Sequence, residues 1–69
     1  VTLLYYFRGC EDGRNLDHYV ADVAQCGGRN IETFPGDPKE QICAIRFSVD
    51  DKAQFVQAFR QTASYAFLE

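Results

Sequence analysis

No run in this chain approaches the roughly 20 consecutive apolar residues that a membrane-spanning helix needs, and no basic start followed by an apolar core suggests a leader peptide. The expected setting is soluble and cytoplasmic. Cationic excess is also missing. Ten acidic against seven basic residues leave a formal charge of -3, so no surplus of lysine and arginine can displace counterions from a polyanion. Nucleic acid is therefore not the default partner, and a basic protein surface suits this charge better. A single histidine, His18, excludes a multi-histidine metal site. The cysteines Cys10, Cys26 and Cys43 are odd in number and form no C-x-x-C pair. Neither a closed disulfide framework nor a structural zinc site follows from them, and a reducing compartment is the simpler expectation. Internal repeats, low-complexity tracts and linkers are absent as well, so residues 1–69 are expected to form one domain.

What is present argues for a folded chain. The hydrophobic fraction is 46%, and four tyrosines and six phenylalanines supply aromatic bulk that disordered segments lack. At 69 residues the core is marginal, and a second subunit or another staple is often needed. The first strand, expected over Thr2–Arg8, sharpens this point. Leu3, Tyr5 and Phe7 point to one side of an extended chain, and Leu4 and Tyr6 to the other. A single layer of helices covers one side only, so the second apolar side awaits a twin subunit or a partner.

Glycines and charges from Gly9 to Arg14 read as a loop. Leu16, Tyr19, Val20 and Val23 then recur at helical spacing, with Asn15 as N-cap and Gly27 and Gly28 as the stop, which predicts a helix over Asn15–Cys26. Asn30–Phe34 and Gln41–Val49 read as strands on either side of a wide loop holding Pro35, Gly36, Asp37 and Pro38. Within the second of these, Cys43, Ile45, Phe47 and Val49 form the core row, and Ile42, Ala44, Arg46 and Ser48 the opposite one. Ser48 with Asp51, or Asp50 alone, would cap a last helix carrying Phe55, Val56, Phe59, Ala63, Ala66 and Phe67, with its end near Leu68. A short fourth strand over Ser64–Leu68 is the alternative.

Strand, helix, strand, strand, helix, joined by a right-handed crossover and a hairpin, favours a split arrangement in which the third strand lies between the first two. The fold class expected is α+β: a three-stranded antiparallel sheet with both helices on one face, a ferredoxin-like plait with its fourth strand missing or vestigial. Such a sheet leaves one face open and the first strand at an edge. Leu4, Tyr6, Ile42 and Ala44, with Arg8 and Arg46 around them, compose the expected partner-binding surface, since aromatic residues and arginine are enriched at protein interfaces.

Other sites carry less. Cys10, in the loop, is the cysteine expected to be most exposed and the one candidate for a reactive thiol, although Glu11 and Asp12 work against ionisation. Cys26 and Cys43 are expected to pack as small apolar groups. Asp17, His18 and Asp22 read as a solvated helix face rather than a metal or acid-base site. The loop from Gly9 to Gly13 matches neither a phosphate-binding fingerprint nor a calcium loop. The RNA-recognition motif shares the plait order, but Ile42 and Ala44 stand where its stacking aromatics belong, and Tyr6 alone is placed to stack a base.

These readings converge on a small non-enzymatic protein-interaction domain, an adaptor, regulator or inhibitor that docks through the open sheet face and the first-strand edge. No cofactor and no metal are expected, and a homodimer is. The alternatives are a dimeric small-molecule-sensing domain and a weak single-stranded RNA binder.

Overall fold

In a computed structural model, which describes residues 1–10, 15–36, 39 and 41–69, the alternating apolar pattern of the N-terminus becomes strand β1 (Thr2–Phe7). Helix α1 (Leu16–Gln25), strand β2 (Arg29–Phe34), strand β3 (Cys43–Ser48) and helix α2 (Lys52–Phe59) follow, and a short 3-10 helix (Ala63–Phe67) closes the chain. The glycine-rich loop expected after β1 lies mostly outside the described residues, as do Asp37, Pro38 and Glu40 of the hairpin loop.

The sheet order is β1-β3-β2, with both outer strands antiparallel to β3. This is the split arrangement expected from the sequence. β1 runs in register from Thr2 opposite Ser48 to Phe7 opposite Cys43. β2 pairs Arg29 with Ser48 and Glu32 with Arg46, so Asn30 and Ile31 together oppose Phe47 in a bulge. Asn30 takes a positive φ of 51° there, a conformation asparagine tolerates better than most residues.

One side of the sheet carries the core. Leu3 and Tyr5 are partly buried and Phe7 is fully buried, and Ile45 and Phe47 join them from β3. Phe7 stacks on Tyr19 of α1 at 4.5 Å and meets Phe59 of α2 edge-on at 6.1 Å. Tyr5 lies 5.2 Å from Phe47 and 5.9 Å from Phe55, so rings from both helices reach the same side of β1. Aromatic pairs in these geometries contribute about 0.5–1.5 kcal/mol beyond their buried area.

The caps follow the sequence in part. α1 ends as anticipated at its two glycines: Gly27 donates to the Ala24 carbonyl and Gly28 to the Val23 carbonyl, and Gly27 has a φ of 107°. Asn15 occupies the N-cap position, yet its side-chain amide donates to the Gly9 carbonyl instead of capping the helix. For α2 the cap is Asp51, which accepts the Gln54 N–H at 3.2 Å, rather than Ser48 or Asp50.

Two expectations are corrected. The last helix does not run to Leu68. It stops at Phe59, where the Gln61 and Thr62 N–H groups bond three residues back and the Thr62 hydroxyl donates to the Phe59 carbonyl. Such local side-chain bonds compete with helix continuation, and Ala63 and Ala66 offer too little apolar surface to oppose them. The chain then crosses to β1. Leu68 forms an antiparallel bridge with Phe7, the Arg8 N–H donates to the Phe67 carbonyl at 2.8 Å, and the Glu69 N–H donates to the Tyr6 carbonyl at 2.9 Å. A single bridge thus stands where the plait's fourth strand would be.

The second correction concerns the cysteines. Cys10 is buried and joined to Cys43 by a disulfide, with Cα atoms 5.8 Å apart and a sequence separation of 33. It is neither exposed nor a free thiol. The odd count conceals this pair because Cys26 is left over.

Candidate interaction face

The register fixes what the open side of the sheet displays, because residues directly opposite one another in a ladder project to the same side. Three cross-strand rows result: Thr2, Ser48 and Arg29; Leu4, Arg46 and Glu32; and Tyr6, Ala44 and Phe34. Leu4 is 47% exposed, Tyr6 51% and Phe34 42%.

The expected surface residues are brought together unevenly. Leu4 and Tyr6 lie on the face as anticipated. Ala44, between the Tyr6 and Phe34 rows, is only 7% exposed and forms the floor under its large neighbours rather than contact surface. Ile42 precedes β3 and is partly buried, so it borders the face without belonging to a ladder pair. Arg46 was expected at the margin, but it stands on the central strand. Its guanidinium pairs with Glu32 and lies 5.6 Å from the Phe34 ring centroid. Arg8 is drawn to the tail, donating to the Ala66 carbonyl at 2.9 Å with Glu69 at 3.9 Å.

Phe34 is the surface residue that sequence reasoning missed. Its strand was legible, but its parity depends on hairpin register, and a loop with two prolines and a glycine does not fix register.

Among the described residues, the arginines of this side are paired. Arg46 with Glu32, Arg29 with Asp50, and Arg8 with Glu69 are all exposed pairs, each worth at most about 1 kcal/mol in water. Their effect is to leave the apolar side chains as the dominant chemistry of the face.

The first-strand edge is shorter than expected. Bonding alternation turns the backbone groups of Thr2, Leu4, Tyr6 and Arg8 away from β3. The tail occupies the Tyr6 carbonyl and the Arg8 N–H. Among the described residues, no backbone bond from outside the sheet reaches Thr2 or Leu4.

Remote from this face, His18 is exposed on α1, while Asp22 is partly buried and accepts both the N–H and the hydroxyl of Ser64. Asp22 is therefore not part of a solvated face: it anchors the C-terminal 3-10 helix to α1. Burial and, secondarily, the Asp22 carboxylate push the Cys26 thiol above its ordinary 9.0. Among the described residues, no cluster of three or more histidine, cysteine, aspartate or glutamate side chains is placed to hold a metal, and no helix is long and apolar enough to cross a membrane. No protein-family model, curated protein or solved structure matches this chain.

Proposed function

We propose that this domain works by binding another protein, as an adaptor, regulator or inhibitor, and performs no catalysis of its own. The observation that supports this reading is the joint exposure of Leu4, Tyr6 and Phe34 on one sheet face whose ladder arginines, Arg29 and Arg46, are paired with Asp50 and Glu32. Full burial of such a side chain contributes about 1.5–3 kcal/mol, so covering three half-exposed ones supplies several kcal/mol toward association. Arg46 and the rows around Ala44 give the patch its aromatic and arginine character. The acidic balance favours encounter with a basic partner. Self-association through the same face is the simplest form of the proposal, and a homodimer is its first expectation.

The compartment follows separately. A cytoplasmic placement presumed reduced thiols, whereas the Cys10–Cys43 bond favours an oxidising one.

The test is sedimentation equilibrium over a wide concentration range for wild type, Tyr6→Asp and Phe34→Asp. A dimer lost in both variants, with circular dichroism unchanged, supports a self-interface. Monomers throughout point to a different protein as partner, and these variants then serve as negative controls in capture experiments. Binding that survives both substitutions refutes the proposal, and binding of single-stranded RNA through Tyr6 and Phe34 would replace it.

A further inference from the structure

On the helix side of the sheet, α1 and the C-terminal 3-10 helix line a half-open cavity of about 350 Å³ whose lining includes Asn15, His18, Tyr19, Asp22, Ser64 and Phe67. That volume is within the range of small-molecule sites. Its lining combines a carboxylate with two aromatic rings. Asp22 is held in place by the two bonds it accepts from Ser64, which is itself buried. Phe67 is 43% exposed, and its ring centroid lies 5.9 Å from that of Tyr19. Arg8, Arg29 and Arg46 pair with Glu69, Asp50 and Glu32, and among the described residues no cation forms an ion pair with Asp22.

A fixed carboxylate with no counter-ion among the described residues, beside two aromatic rings, is the chemistry that recognises an organic ammonium group. We propose that this cavity binds a small organic cation the size of choline, with Asp22 supplying the counter-charge and the Phe67 and Tyr19 rings packing on its alkyl groups. Anions are repelled by the same carboxylate. The site lies within one copy of the chain, so it does not depend on the interaction face. It does touch the tail, because Phe67 lines the cavity and its carbonyl accepts the Arg8 N–H. An occupied cavity therefore holds the tail against β1 and slows exchange of the Arg8 and Glu69 amides.

Two-dimensional NMR of the intact chain tests this with choline and its uncharged carbon isostere, 3,3-dimethylbutan-1-ol. Choline should shift Ser64, Phe67 and α1 resonances saturably, with the isostere weaker by about tenfold or more. Asp22→Asn keeps an oxygen to accept from Ser64 but removes the charge, and should weaken choline to the level of the isostere. Where that variant fails to fold, Phe67→Leu keeps apolar bulk while removing the ring and should weaken choline severalfold. No saturable shift at millimolar choline, equal binding of the isostere, or undiminished binding by a folded variant overturns the proposal.

Discussion

Removing the Cys10–Cys43 bond should come close to unfolding this domain. The bond joins residues 33 apart, and chain-entropy arguments give a closure of that length roughly 3–4 kcal/mol of stabilisation. A chain of 69 residues has a total stability of only about 3–10 kcal/mol, so the staple accounts for a large share of it. The bond also ties the exit of β1 to the start of β3, the point at which the central strand enters the core. Both sulfurs are buried, so reduction has to be carried out in denaturant before the chain is returned to buffer. The oxidised and reduced forms are then compared by thermal melting and urea titration, with alkylation counting one free thiol in the first and three in the second. A fall in melting temperature of roughly 10–30 °C is expected on reduction. Coincident unfolding curves for forms with one and three alkylated cysteines would refute the reasoning.

Two further outcomes follow from local geometry. Gly28→Ala places a methyl 2.4 Å from a Val23 Cγ and 2.9 Å from the Val23 carbonyl oxygen, where backbone cannot move aside, and should cost about 1–3 kcal/mol in urea unfolding. Cys26 should be alkylated in the native protein with a pH midpoint above 9.0, and Asp22→Asn should move that midpoint down. Because folding raises this pKa, the native state holds the thiol proton more tightly than the unfolded chain does. Its contribution to stability is therefore complete below about pH 9 and is lost as pH rises through the folded value. Unfolding titrations at pH 8 and above, with Cys26→Ala as the reference, check that sign.

The parts of the fold legible in sequence were those written in local periodicity. The two-sided apolar pattern of β1, the helical spacing from Leu16 to Val23 and the core row from Cys43 to Val49 each carry their own signal, and element order with handedness then restricts the topology to few options. What was hidden depended on distant partners. The disulfide requires knowing that the loop after β1 returns to the start of β3. The end of α2 joins the local bond from the Thr62 hydroxyl to the Phe59 carbonyl with a contact sequence does not show, Ser64 meeting Asp22 at a separation of 42. Helical spacing of Phe55, Phe59, Ala63 and Phe67 continues through a turn that tertiary contacts override. Phe34 was hidden for a third reason, since its side of the sheet is set by a register that the hairpin loop does not encode.

The tail also decides how the face can be used. With the Tyr6 carbonyl and the Arg8 N–H already bonded to it, the backbone groups left to extend a ladder outward from β1 are those of Thr2 and Leu4 and the Tyr6 N–H. Outward groups recur at every second residue, so this free stretch from Thr2 to Tyr6 is no longer than one short strand and offers only a few backbone bonds, and edge addition alone gives a partner little purchase. Side chains on the open face must supply most of the association. There the Arg46–Glu32 pair stands in the row with Leu4 and beside Phe34, so it becomes buried when the apolar residues are covered. An exposed pair of small worth becomes costly to desolvate unless its bonding stays satisfied. A suitable partner therefore combines an apolar patch for Leu4, Tyr6 and Phe34 with a polar group that reaches the Arg46–Glu32 pair. That requirement separates a specific interface from general hydrophobic adhesion, and it makes Arg46→Met, which removes the charge and leaves Glu32 unpaired, a more selective probe than removing any single ring.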